Sequence, residues 1–239
     1  MLQVSKAIQV LGDLEEVMLR KGDAFRSRAY QRACHALMKH GKQEIALSSI
    51  QSEPGIGDTI YTKLTEFHNT GKIAALEREK QSPLFVLTNV YGIGPKKAKE
   101  LIDLGVDTID KLRARSELLN EKQKIGLSYY EPLQKRIPRQ EILRYQKAFN
   151  TFLAPYEFEI VGSFRRGAAD SGDIDVIMKN APLPQLMKSL VDQQLITEIL
   201  SLGKHKCLCI AKLGKGQYCR VDFLTTSTCL LYTSDAADE

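Results

Sequence analysis

Between Gly162 and Val176 the chain reads Gly-Ser-Phe-Arg-Arg-Gly-Ala-Ala-Asp-Ser-Gly-Asp-Ile-Asp-Val. This stretch constrains the fold more than any other. Gly162 and Ser163 open a short helical pattern, and a helix start offers unpaired backbone N–H groups and the positive end of a dipole to a phosphate. Asp173 and Asp175 sit at i and i+2 on a strand pattern, so their side chains share one face. Two carboxylates crowded on one face repel unless a cation lies between them. A phosphate cradle, a carboxylate pair and a cation together point to metal-assisted phosphoryl or nucleotidyl transfer.

A second feature lies upstream. Pro54-Gly55-Ile56-Gly57 recurs as Tyr91-Gly92-Ile93-Gly94, 37 residues later, and each copy follows an apolar stretch and precedes a helical pattern. The unit reads as helix, tight hairpin, helix. Glycines let the backbone approach a phosphate closely, and the following helix adds free N–H groups. Gly55, Gly57, Gly92 and Gly94 are therefore candidate DNA-backbone contacts, with Lys96, Lys97 and Lys99 supplying charge beside the second copy. Such contacts position a duplex without reading its sequence.

Charge follows the same division. Residues 1–150 hold 25 Lys and Arg against 18 Asp and Glu, whereas residues 151–239 hold 9 against 11. A basic front and an acidic rear fit nucleic acid at one end and metal at the other. No apolar run approaches the roughly 18 residues that cross a bilayer, so no membrane is expected. The five cysteines, Cys34, Cys207, Cys209, Cys219 and Cys229, are irregularly spaced. They read as reduced thiols of an intracellular protein, without the paired spacing of a zinc site.

Helical patterns fill the first 80 residues, and Pro132 to Pro138 marks a joint. Beyond it, Phe158–Val161, Asp173–Met178, Cys207–Ala211 and Arg220–Leu224 read as strands, and Leu186–Leu200 reads as a helix. The rear half is thus α+β.

The two hairpins, Lys135-Arg136-Ile137-Pro138-Arg139, the Gly162–Gly167 turn and Asp173-Ile174-Asp175, in that order, resemble the beta-like members of the DNA polymerase X family over about residues 5–224. The resemblance implies a multidomain α and α+β chain. Residues 1–78 would be a helical DNA-binding and deoxyribose-phosphate lyase domain, and 79–138 a second helix-hairpin-helix region. Residues 139–228 would be an α+β nucleotidyltransferase palm. Asp173, Asp175 and Asp222 would hold two Mg²⁺ ions, with Mn²⁺ as a substitute. Arg136, Gly162, Ser163, Arg166 and Gly172 match the family's triphosphate contacts. Lys63 matches its Schiff-base nucleophile, with Arg26 and Arg28 as nearby cations, and Tyr30 matches another lyase-site position. The carbonyls of Thr88, Val90 and Ile93 match a Na⁺ or K⁺ site, with Gln51, Glu53 and Ile56 as their counterparts in the first hairpin. Thr59 and Gln51 stand where the family has lysines, and Arg26 replaces another, so the 5′-phosphate pocket is less basic.

The expected partners are gapped or nicked double-stranded DNA and deoxynucleoside triphosphates, and the expected state is a monomer, nuclear if the source is eukaryotic. Only 17 residues follow Asp222. The family continues into a subdomain that closes over the nascent base pair, whereas residues 229–239 read as a truncated or artefactual tail. The expectation is that the chain as it stands extends DNA poorly. Gap-filling repair synthesis with lyase activity is the first reading; a template-independent terminal transferase and a DNA-end-binding lyase module with little polymerase activity are the alternatives.

Overall fold

The computed structural model describes residues 1–41, 43–165 and 167–227. They divide into two compact units, Met1–Leu127 and Ser128 onward. Among the described residues no helix is long and apolar enough to cross a membrane.

The first unit begins with a two-residue strand β1 (Leu2–Gln3), antiparallel to β2 (Glu44–Ile45), which clips the ends of a helical pair together. That pair is α1 (Val4–Arg20) and α2 (Ala24–Lys39). Val4, Ala7, Leu11, Leu14 and Val17 recur at helical spacing and are buried against Tyr30, Ala33 and Leu37. Gly22 ends α1 at φ +79°, with Asp23 N–H bonded to Met18 O and Gly22 N–H to Leu19 O. These two bonds form the Schellman stop that a left-handed glycine permits. The Asp23 carboxylate then accepts from Arg26 N–H and caps α2. Six further helices follow: α3 (Leu47–Ile50), α4 (Asp58–Thr70), α5 (Ala74–Lys80), α6 (Pro83–Thr88), α7 (Pro95–Asp103) and α8 (Ile109–Ala114). A 3₁₀ turn at Ser116–Leu118 leads to α9 (Glu121–Ser128). The α1 helix contacts both α5 and α6, so the two hairpins belong to one unit that divides from the rest only near residue 127.

The second unit opens with α10 (Tyr130–Gln134), β3 (Ile137–Pro138) and α11 (Arg139–Phe152). Then come β4 (Phe158–Ile160), α12 (Gly162–Arg165), β5 (Asp170–Ser171), β6 (Ile174–Lys179), α13 (Leu183–Asp192), β7 (Ile196–Leu202), β8 (Lys206–Lys212) and β9 (Tyr218–Thr226). Five strands form one sheet in the order β4-β6-β9-β8-β7, in which β6 and β9 alone are parallel neighbours. Alternate residues of the central strands, Val176, Met178, Cys209, Val221 and Phe223, face Tyr145 and Phe149 of α11 and Leu186 and Leu190 of α13. Phe149 is fully buried, with its ring centroid 5.7 Å from Tyr145, 5.9 Å from Phe158 and 5.8 Å from Phe223. The strand residues between these, Asp175 and Asp222 among them, point to the other face of the sheet.

One expected element is wrong. Leu186–Leu200 is not a single helix: α13 stops at Asp192, and Ile196 begins β7. Leu195 N–H bonds Leu190 O and Gln194 N–H bonds Val191 O, with Gln194 at φ +59°. This is the same Schellman stop as at Gly22, made by a residue that carries a side chain.

Candidate active site and nucleic-acid interface

Pairing β6 with β9 in parallel sets Asp175 directly beside Asp222 in register. Asp173 lies one residue before β6 and on the same side as Asp175. One carboxylate oxygen from each of the three falls within 4.8 Å of the others. Asp222 Oδ1 is buried without a hydrogen-bond partner among the described residues, and the Nε of Arg220 lies 3.5 Å away. Burial pushes the Asp222 carboxyl above its ordinary range and Asp173 adds to the shift, while Arg220 and Lys206 oppose it. Arg220 also donates to Asp173. Burial works against the guanidinium's charge, but Asp173, Asp222 and Asp175 outweigh it and its pKa is raised.

Three clustered carboxylates, one with an orphaned buried oxygen, make a hard, oxygen-only donor set. That set fits Mg²⁺ or Mn²⁺. Arg220 supplies part of the compensating charge. It went unremarked in the sequence, although its place two residues before Asp222 on one strand puts both side chains on one face.

The turn before α12 is built around Asp175. Gly162 has φ +62°, and a Cβ there would collide with Asp175 Oδ2. The preceding Val161 N–H bonds Asp175 O at 2.9 Å, so the turn and the carboxylate strand are tied together. Ser163 Oγ hydrogen-bonds Ser171 Oγ at 2.7 Å. The α12 helix is a single turn, too short for many aligned peptides to sum, so the macrodipole contributes less to the cradle than the sequence reading supposed. The cationic wall comes instead from the joint. Antiparallel pairing of β3 with β5 matches Ile137 to Ser171 and Pro138 to Asp170, which brings Arg136 alongside Asp170 and Gly172. Arg139 braces the same loop, donating to Phe164 O at 2.8 Å and stacking over the Phe164 ring at 4.2 Å. Arg166 lies outside the described residues, as do residues 228–239.

In the first unit the repeat is a repeat of structure. Gly55 and Gly92 both lie at positive φ, +96° and +83°. Gly57 and Gly94 are both N-caps, at φ −84°, ψ 172° and φ −82°, ψ 174°. Ile56 N–H bonds Glu53 O, and Ile93 N–H bonds Val90 O, each at 3.0 Å. Ile50 and Leu87, Ile56 and Ile93, and Leu64 and Leu101 are buried pairs at the same spacing. Neither hairpin helix has a side-chain cap at its start, which leaves backbone donors for an anion. The charges differ, however. Lys96 and Lys99 are exposed beside the second hairpin, and Lys97 lies 3.7 Å from Glu100. In the first, Glu53 bonds His40 at 2.7 Å.

An open cleft of about 650 Å³ runs past the first hairpin, lined among others by Arg26, Tyr30, Gly55, Gly57, Asp58 and Thr59. Tyr30 is 5% exposed, and burial raises its phenol pKa, against the lowering effect of Arg26. Lys63 lies one turn farther along α4, half-buried and without an ion pair among the described residues; it does not line the cleft. Arg28 is exposed on α2 and donates to Ala24 O. In the second hairpin Thr88 directs its hydroxyl back to Leu84 O and Phe85 O, and Val90 O already accepts one bond, leaving its second lone pair for a cation.

Three family profiles match successive parts of the chain. The helix-hairpin-helix domain matches residues 3–73. The fingers domain of DNA polymerase lambda matches residues 86–134, and the DNA polymerase beta palm matches residues 136–228. The chain belongs to the DNA polymerase X family. DNA polymerase lambda of Arabidopsis thaliana is 27% identical over 212 residues, covering 82% of this chain and 40% of its own length. A type-X family protein, pol4 of Schizosaccharomyces pombe, is 24% identical over 84% of this chain and 42% of its own length. DNA polymerase lambda of Rattus norvegicus is 27% identical over 74% of this chain and 31% of its own length. The chain thus spans less than half the length of these curated relatives. The palm match contains all three aspartates, and divalent-metal use follows from that family together with the carboxylate triad.

Proposed function

We propose that the chain carries the catalytic palm and DNA-end grip of a gap-filling polymerase, with deoxyribose-phosphate lyase activity in the first unit. The observation that carries this reading is the in-register pairing of Asp175 with Asp222, which gathers three carboxylates on the sheet face opposite the helices. Two divalent ions held by Asp173, Asp175 and Asp222 would activate a primer 3′-hydroxyl and neutralise the triphosphate. Asp222, its carboxyl raised by burial, is the proton acceptor for that hydroxyl. Ser163, Gly162, Gly172 and Arg136, with Arg166, orient the triphosphate; an arginine fork suits phosphate oxygens. The two hairpins grip the DNA backbone, and monovalent cations at their carbonyls would help.

In the lyase reaction the Lys63 amine adds to the C1′ aldehyde of a 5′-deoxyribose phosphate. Water leaves to form the Schiff base, and β-elimination then expels the phosphorylated 5′ end. What supports this role is position: Lys63 stands one turn along the helix that follows the first hairpin, half-buried.

A single-nucleotide-gap extension assay tests the polymerase reading, and extension that survives both Asp175→Ala and Asp222→Ala would sink it. Extension of a lone single strand would favour a terminal transferase instead. Borohydride trapping tests the lyase reading: undiminished crosslinking by Lys63→Ala removes Lys63 from it.

A further inference from the structure

We propose that Asp170 is a positioning residue that presets the Arg136 guanidinium for the triphosphate, an inference that rests on the reading of Arg136 and Gly172 given above. Arg136 Nε donates to Asp170 Oδ1 at 2.9 Å, and its Nη2 lies 2.8 Å from the same oxygen and 3.1 Å from Asp170 O. One edge of the fork is therefore committed to Asp170. The remaining nitrogen, Nη1, makes no hydrogen bond among the described residues and sits where a Cβ on Gly172 would come within 3.3 Å. It is the nitrogen presented at the cradle.

The strand register explains the arrangement. Ile137 pairs with Ser171 and Pro138 with Asp170, so the antiparallel ladder continues to Arg136 opposite Gly172 with Asp170 on the diagonal. The backbone is pinned as well, because Gln217 Nε2, from the turn between β8 and β9, donates to Arg136 O at 3.2 Å.

The pair is half-exposed, at 54% for Arg136 and 47% for Asp170. Such a pair contributes little to folding. What it fixes is direction. A long arginine side chain otherwise loses much rotamer freedom when it engages a phosphate, and a fork already held by one edge loses less. Asp170 also brings a negative charge toward a polyanion, so fixing the fork must outweigh repulsion for the arrangement to help. The two effects predict opposite outcomes. They can also be separated chemically, because both side-chain contacts converge on the single oxygen Oδ1, which asparagine retains without the charge.

The test is equilibrium binding of dTTP with Ca²⁺ to the 239-residue chain and to variants checked for unchanged melting. Asp170→Ala should weaken dTTP binding about threefold to fivefold, the range of a well-formed exposed pair. Asp170→Asn should restore wild-type affinity or exceed it, and affinity for gapped DNA should not change. In an Arg136→Ala background, Asp170→Ala should cause no further loss, since its favourable action passes through Arg136 and only the repulsion of its charge remains to be relieved. Unchanged or tighter binding by Asp170→Ala overturns the proposal, as does an equal loss in the Arg136→Ala background. If wild type does not bind dTTP, or if Arg136→Ala binds it as wild type does, the parent reading of Arg136 fails instead.

Discussion

Replacing Gly162 with alanine asks whether the turn before α12 exists to accommodate Asp175. The substitution has two costs. At φ +62° an L-residue is in the left-handed region, which costs about 1–2 kcal/mol. The new Cβ also overlaps Asp175 Oδ2, and driving that side chain off its rotamer costs about 1 kcal/mol more. Gly214 is the internal control, because it has φ +58° and nothing within 4 Å of its would-be Cβ. Gly214→Ala should bear the backbone cost alone. Gly162→Ala should therefore melt about 4 °C below Gly214→Ala, from about 1 kcal/mol in a unit of this size.

The larger difference should appear with Mg²⁺. Metal at a hundred times the wild-type Kd stabilises the fold by about 2.7 kcal/mol. If displacing Asp175 weakens metal tenfold, Gly162→Ala gains only about 1.4 kcal/mol at the same concentration. Calorimetric melting with Mg²⁺ and with EDTA measures both quantities. Equal Mg²⁺ shifts in the two variants would refute the coupling of the turn to the carboxylate.

Other outcomes follow from the same contacts. Arg220→Ala removes a cation that competes for the carboxylates, so it should tighten Mn²⁺ binding in an electron-spin-resonance titration; without metal it leaves three clustered carboxylates short of their counter-charge, so it should lower the melting temperature in EDTA. Asp222 contributes a pH dependence. Its folded pKa is raised, so the stability it lends is present below the ordinary carboxylate range and lost as pH rises through the raised value. Asp222→Asn should therefore raise the melting temperature in EDTA near neutral pH and leave it unchanged at about pH 3. Phe149→Ala empties the meeting point of three rings in the second unit and should cost about 3–5 kcal/mol in urea unfolding.

Helix ends marked by glycine are legible: Gly22 at φ +79°, and Gly71 at φ +73° with its N–H bonded to Phe67 O, stop their helices as the pattern implies. The end of α13 was not, because Gln194 takes the left-handed position that usually calls for glycine. With apolar residues continuing at Leu195, Ile196 and Leu200, nothing in the pattern broke the helix. The 37-residue repeat was legible because a tight turn needs glycine at Gly55 and Gly92, and the hydrogen bonds match copy for copy.

At the site, Asp173 and Asp175 announced themselves by spacing alone. Asp222 needed the family, since only the parallel pairing of β6 and β9 brings a residue 47 positions away beside Asp175. Asp170 carries no spacing signal of its own, and Arg220, two residues before Asp222, could be placed on that face only once Asp222 was known to belong to the site. Their roles come from partners that lie across a sheet or a two-residue ladder.

The most direct test uses one substrate that reports on both units. A single-nucleotide gap carries a labelled primer and a 5′-deoxyribose phosphate, and 3′ extension and borohydride trapping are read from the same reaction. The account predicts that Asp222→Ala abolishes extension, however slow it is in wild type, and leaves trapping intact, while Lys63→Ala does the reverse. Extension that persists in Asp222→Ala would contradict it.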